Sequence, residues 1–282
     1  MSRAEVIYTF AQYEIKRAIA RKKVLALVIF TVLLGVLPYY ALSMAGSALN
    51  LTSYYPYIWV VGIFALGPLF LNFTAILIAA GAMSEEYEQG TAELLLSKPI
   101  RRSDYFIGKF LGGYLLFLSI LALTLFLSVS SAFAFFGTQS SLNILPGLFL
   151  AQAFSSLLFY SLAFMLGELI RRSSLAYIFS SAAFFSSYII STFMSVLYRI
   201  TDKQIYKTVQ IYLPTSPASS LPIQYAFPKL PSNLSSVLTF INTTTPVPTI
   251  TLSIEILLTY TIIAIAVAAT YFLHADISRK LS

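Results

Sequence analysis

The sequence predicts an all-α polytopic membrane protein. Of its 282 residues, 58% are hydrophobic and only 10% are charged, whereas soluble domains average about 25% charged residues. The mean hydropathy is +0.80, and two long runs, residues 24–84 and 110–167, contain no charge at all. A soluble fold of this length could not bury so much apolar surface, so the lipid bilayer is the expected solvent.

The two uncharged runs are too long to be single helices. Residues 24–84 would form a helix of roughly 90 Å, about three times the thickness of a bilayer core. A turn is therefore expected in the polar and aromatic stretch 47–56, and a second turn at 137–143. With two further apolar stretches, the chain is predicted to be a single transmembrane domain, 1–282, with six spans at about 24–46, 57–82, 107–136, 145–167, 175–198 and 251–273.

The distribution of basic residues predicts the topology. Six spans bring both termini to one side, and 14 of the 18 Lys and Arg residues fall in segments on that side. The other four lie in one connection, 199–250. Since basic segments are retained in the cytoplasm, we expect a protein of the cell membrane with cytoplasmic termini and an outer loop at 199–250. The net charge of +7 then reflects topology, and no nucleic-acid partner is expected.

Three Asn-x-Ser/Thr sequons fall on the predicted outer side, at Asn50, Asn233 and Asn242. They are candidate glycosylation sites, although such tripeptides also occur by chance. A fourth sequon, at Asn72, lies inside a span and is attributed to chance.

Residues 3–20 form a separate predicted element before the first span. Apolar side chains including Ile7, Phe10, Ala11 and Ala18 recur at helical spacing. This pattern favours an amphipathic helix in the inner membrane interface over a simple cytoplasmic extension of the first span.

Catalytic and cofactor-binding patterns are absent from the sequence. There is no cysteine and only one histidine, His274, so a metal centre is not expected. The chain lacks the G-x-x-x-x-G-K-[ST] phosphate loop, so it has no means of binding ATP in that manner. Glu168 and Glu255 are the only acids embedded in predicted spans, which makes an intramembrane enzyme an unfavoured interpretation.

Residues 84–105 form a charged loop between the second and third spans. Glu85 to Glu88 are expected to carry the second span into water, and Gly90 to break it. Thr91 is a candidate N-cap, with Glu93 in the first turn of a short helix that Pro99 ends. Three consecutive leucines, Leu94, Leu95 and Leu96, cannot all face one side of that helix. Either they tuck against the bilayer or the N-terminal helix, or they dock into a groove of a soluble partner.

The third span begins with Gly108-x-x-x-Gly112 and Gly113. Small residues four apart allow two helices to approach closely. Packing within the chain and packing against a second subunit are equally compatible with this pattern.

The charged loop resembles the hallmark of type-2 ABC exporter permeases. That family shows an acidic residue, Gly-Thr, x-Glu, two or three leucines, a small residue, x-Pro, a basic pair and Gly-Lys. Here the motif runs from Glu86 through Arg101 and Arg102 to Gly108-Lys109, with Ala92 where the family often has leucine. The six-span layout with an N-terminal interfacial helix is also similar, so the resemblance extends in outline over the whole chain.

The resemblance implies a function in ATP-driven export. The chain would be a permease, not catalytic itself, that pairs with a second permease and forms the substrate path at the dimer interface. Separate cytoplasmic ATPase subunits would bind ATP and Mg and seat the 91–97 coupling helix. Glu86 and Glu88 would lie at the cytoplasmic gate, where Arg101, Arg102 or basic residues of the partner would pair with them. The runner-up is a stand-alone secondary transporter or channel, which requires polar groups at mid-membrane, chiefly Asn72 and Gln152.

Overall fold

The computed structural model describes residues 3–20, 22–45, 52–97, 100–231 and 248–274. Its helices are α1 (Arg3–Ile19), α2 (Lys22–Ala45), α3 (Ile58–Gln89), α4 (Thr91–Leu96), α5 (Arg102–Phe136), α6 (Leu145–Ile170), α7 (Ser173–Thr201), α8 (Gln204–Tyr212), α9 (Thr215–Ala226) and α10 (Ile250–His274). Within these described ranges, six helices are long and apolar enough to cross a membrane: α2, α3, α5, α6, α7 and α10. The predicted all-α, six-span fold class is therefore confirmed.

Four residues named in the sequence interpretation lie outside the described residues. They are Pro99 and the sequon asparagines Asn50, Asn233 and Asn242. Their suggested roles stay predictions. Asn72, the sequon assigned to chance, is buried inside α3.

The two most extensively packed helices are α3 and α6, which lie side by side in the core. Small residues make this contact close. A Cβ atom on Gly167 of α6 would come within 2.5 Å of the carbonyl oxygen of Ala80 in α3. Around this pair the buried apolar side chains form one continuous core that reaches α2, α5, α7, α9 and α10.

Side-chain contacts define the two ends of the bundle. Lys23 at the start of α2 and Ser173 at the start of α7 both bond to acids in the last turns of α3. The end of α6 meets the same turns through Glu168. We call this the α4 end, because α4 follows directly. The start of α8 and the end of α9 lie at the opposite end, where Trp59 donates a hydrogen bond to the carbonyl oxygen of Ser140.

The glycines at the start of α5 pack against α1. A Cβ atom on Gly108 would lie 2.5 Å from the Cβ of Phe10, and one on Gly112 would lie 2.6 Å from the carbonyl oxygen of Ala11. The glycine pair therefore serves packing within the chain. Because the contact moves forward along both helices together, α1 runs in the same direction as α5. α1 ends at Ile19 and α2 begins at Lys22, and the placement of α1 in the membrane interface stays a prediction.

In the predicted outer loop the structure describes residues 199–231 and 248–250. This part contains two α-helices that lie wholly within the loop, and one of them is buried. α8 (Gln204–Tyr212) follows directly after the end of α7. α9 was not foreseen: Ala218 and Ala226 are fully buried, and the helix packs against α6 and α10. Its Ser- and Pro-rich sequence reads as a loop, yet Pro217 lies in the first turn, where a helix requires no backbone N–H donor. The small side chains then let the helix fit between its neighbours.

The α1–α5 contact predicts different effects for two Gly→Ala substitutions. Both Gly112 and Gly67 lie inside helices, so alanine improves the helix propensity of each equally. Alanine at Gly112 overlaps backbone atoms of α1, whereas at Gly67 its nearest neighbour is the Cγ2 of Ile63 at 3.7 Å. We expect Gly112→Ala to lower stability by about 1–3 kcal/mol, measured as the thermal unfolding midpoint in detergent. Gly67→Ala, the control, should leave it unchanged or raise it, and equal effects would contradict this packing.

Candidate functional site

The short helix α4 follows α3 through a turn of one residue. Gly90 has φ +68, a left-handed conformation that glycine adopts without strain, and its amide donates to the carbonyl oxygen of Tyr87 at 3.2 Å. Gly90 thus ends α3 and also precedes the first residue of α4. Thr91 is not the N-cap that the sequence suggested. The turn is so tight that Thr91 is already helical, and its hydroxyl lies 3.4 Å from the carbonyl oxygen of Glu86.

The three leucines of α4 have different environments. Leu94 is 70% exposed, while Leu95 and Leu96 are half-buried and pack against the core. Ala92 is buried beneath them. Successive residues of a helix point about 100° apart, which is why the expectation of at least one exposed leucine is met. Glu93 is exposed in the first turn.

Glu86, in the last turns of α3, is the centre of a buried ion cluster. Its carboxylate accepts a hydrogen bond from the Lys109 ammonium at 2.7 Å and pairs with the Arg17 guanidinium and the Tyr105 hydroxyl. Lys109 also pairs with Glu14. The Arg17 guanidinium lies 3.5 Å from the Glu14 carboxylate. We call Glu14, Arg17, Glu86 and Lys109 the ion cluster.

The ion cluster joins three helices with balanced charge. Two acids and two bases contribute a net charge of zero, and Glu86 and Lys109 are fully buried. An isolated buried charge costs several kcal/mol in a protein interior, so each member depends on the others. Because Glu14 and Arg17 belong to α1, Glu86 to α3 and Lys109 to α5, these helices are held in one arrangement.

The position of Glu86 corrects the sequence interpretation. Glu86 does not enter water, because α1 covers it. Its partners are Arg17 and Lys109 of the same chain, and the expected pairing with Arg101 or Arg102 is not formed. Arg101 is exposed, and the Arg102 guanidinium lies 3.5 Å from the carbonyl oxygen of Leu273 at the end of α10.

The neighbours of Glu86 reach other helices. The Glu88 carboxylate accepts the backbone amide of Ser173 at 2.9 Å, at the start of α7. The Tyr87 hydroxyl donates to Glu168 of α6 at 2.7 Å. Glu85 pairs with Lys23 of α2 and accepts a hydrogen bond from the Tyr177 hydroxyl of α7. The last turns of α3 are thus bonded to α1, α2, α5, α6 and α7, immediately before α4.

Glu168 forms a local salt bridge at the end of α6. The Arg171 guanidinium lies 3.9 Å from its carboxylate and stacks over the rings of Tyr87 and Tyr271. Within the described ranges, no group of three or more His, Asp or Glu side chains is arranged to hold a metal ion.

Sequence reasoning missed Glu14 and Lys109 as partners of Glu86. One signal was available: Glu14 lies three residues after Ala11 and four before Ala18, so it shares the apolar face of α1. An acid on a packed face requires a basic partner. The identity of that partner depends on how α1 lies against α5, which no local pattern specifies.

The charge balance of the ion cluster predicts that removing one charge lowers the stability of the protein more than removing a pair of opposite charges. Lys109→Met leaves two buried acids facing one base, and we expect a loss of about 3–5 kcal/mol, seen as a lower unfolding midpoint in detergent. Adding Glu14→Gln restores the charge balance and should recover part of that loss. Lys203→Met, at an exposed position on the opposite end, is the control. A Lys109→Met variant as stable as Lys203→Met would contradict the cluster.

Comparison with known proteins identifies the family. Residues 8–277 match the model of the ABC-2 family transporter protein. The chain is also 33% identical over 125 residues to the uncharacterized protein YhcI of Bacillus subtilis (strain 168), an alignment that covers 37% of this chain and 40% of that protein. The family match includes every helix from α2 to α10, and with them α4 and the ion cluster. This multi-pass membrane protein therefore belongs to the ABC-2 family of transporter proteins.

Proposed function

We propose that the chain is the transmembrane permease subunit of an ATP-driven ABC exporter, coupled through α4 to a separate cytoplasmic ATPase subunit. The observation that carries this proposal is the exposed Leu94 on a helix fixed to the bundle core. A large apolar side chain at an interface helix is the usual anchor for a groove in a soluble partner. ATP and Mg would be bound by that ATPase, which supplies the phosphate-binding chemistry that this sequence lacks.

The connection of α4 to α3 and its packing on the core support a role in transmitting motion. Gly90 is the single residue between α3 and α4, so no flexible linker separates the two helices. Leu95 and Leu96 pack the short helix against the core. A force on Leu94 would therefore pass to the last turns of α3. From there, bonds to five other helices would carry the displacement into the bundle. Coupling of this kind requires a continuous physical connection between the two sites.

The pairing of two permeases around the substrate path rests on the family resemblance. The same resemblance implies that Glu86 and Glu88 lie at the cytoplasmic gate. In our proposal these acids act by holding helices together, through Lys109 and Ser173, so that the gate moves as α3 moves.

The polar groups that a secondary transporter would require are engaged with one another. The Ser156 hydroxyl donates to the side-chain oxygen of Asn72 at 2.8 Å, and the Gln152 amide donates to Ser156 at 3.1 Å. All three residues are buried between α3 and α6. Side chains satisfied in this way stabilise the helix pair, which favours the ATP-driven exporter over the alternative.

Replacing the exposed leucine should release the ATPase. Leu94→Arg places a charge in an apolar groove, whereas Leu94→Met preserves the apolar contact and serves as the control. We expect Leu94→Arg to insert normally in the membrane but to lose most of the co-purifying ATPase, quantified by mass spectrometry against wild type. Retention of the ATPase at the wild-type level by Leu94→Arg would contradict docking through α4.

The proposed topology places the α4 end in the cytoplasm of the cell and both termini with it. The chain has no native cysteine, so single cysteines can be introduced without background. Cysteine at Ser97, exposed after α4, should react with an impermeant maleimide only after the membrane is opened. Cysteine at Gln204, exposed at the start of α8, should react in intact cells. The reverse pattern would contradict the orientation.

A further inference from the structure

An apolar groove lies where α1, α2 and α5 meet. Its volume is about 310 Å³. Ile19 at the end of α1 lines it, together with Leu25 and Val28 of α2 and Leu116 and Ile120 of α5. It opens sideways to the surface of the bundle, within the first turns of the span α2. A groove of this size falls in the range of small-molecule sites.

The lining of the groove favours a hydrocarbon occupant. Apart from aliphatic side chains it contains Ser119, whose hydroxyl donates to the carbonyl oxygen of Leu115 at 3.0 Å. Because that hydroxyl already has a hydrogen-bond partner within α5, the lining side chains leave no polar group for a polar ligand to pair with. An alkyl chain fills such a surface without leaving any polar group unpaired.

Two exposed lysines stand at the end of the groove nearest the α4 end. Lys16 is three residues before Ile19 on α1, and Lys22 is three residues before Leu25 on α2, so each shares a helix face with a groove-lining residue. Their sequence neighbours Arg17 and Lys23 turn inward and pair with Glu86 and Glu85. Lys16 and Lys22 remain exposed, directed to the same side as the groove.

An apolar groove with positive charge at one end matches a phospholipid. We propose that it binds one acyl chain of an anionic phospholipid, whose phosphate group lies between Lys16 and Lys22. Basic positions beside grooves between transmembrane helices attract anionic headgroups of the same leaflet. The bound lipid would sit against the joint between α1 and α2, on the side of α1 opposite the ion cluster.

Native mass spectrometry of the full chain tests this proposal. The protein is reconstituted in nanodiscs of equal parts dioleoyl phosphatidylglycerol and dioleoyl phosphatidylcholine, released, and the retained lipids are counted. Wild type should retain phosphatidylglycerol in excess. Each lysine contributes about a fivefold preference for an anionic lipid, so Lys16→Gln with Lys22→Gln should abolish the excess.

Two further variants separate a built site from general charge attraction. Val28→Trp fills the groove without touching the lysines and should reduce retention of both lipids. Lys203→Gln with Lys207→Gln removes two lysines at the opposite end and should behave as wild type. The proposal is overturned if the Lys16 and Lys22 variant keeps the excess, if Val28→Trp retains as much lipid as wild type, or if the control pair also loses the preference.

Discussion

The buried carboxylate of Glu86 governs the arrangement of the α4 end. A charge with no access to solvent is tolerated only when opposite charges and hydrogen-bond donors surround it, and here they come from two other helices. Lys109 of α5 and Arg17 of α1 neutralise it, and Glu14 completes the balance. Close contact between these charges is possible because Gly108 and Gly112 let α1 approach the backbone of α5. The close approach of α1 to α5 at the glycines is therefore what allows the buried charges of the ion cluster to meet.

This requirement explains why the charged segment before α4 is bonded on several sides. A chain leaving a membrane commonly frays into solvent, but the last turns of α3 are covered by α1 and bonded to five helices. Only Leu94 on the following helix presents a large apolar side chain outward. The proposed coupling through α4 requires both features: close packing of the helix on the bundle and an exposed apolar side chain. A loosely attached helix would move by itself and would not transmit its displacement to the bundle.

The fold class could be predicted because it depends on local properties. Uncharged runs and their polar breaks located the six apolar helices, and Gly90 located the start of α4 almost to the residue. The partners of Glu86 could not be predicted in this way, since Glu14 and Lys109 are 95 residues apart and meet only when α1 packs on α5. α9 was missed for a different reason: its Ser and Pro content is typical of a loop, and its burial comes from fitting between α6 and α10.

The central claim is that the ion cluster makes α1, α3, α4 and α5 move together. Electron spin resonance distances between labels on exposed cysteines at Gln12 of α1 and Ser97 after α4 test it most directly. In a complex with the proposed ATPase, we expect the same narrow distance distribution with and without trapped nucleotide. We expect a broader distribution when Glu86→Gln is introduced. A wild-type distance between the two labels that changes with nucleotide would contradict the account.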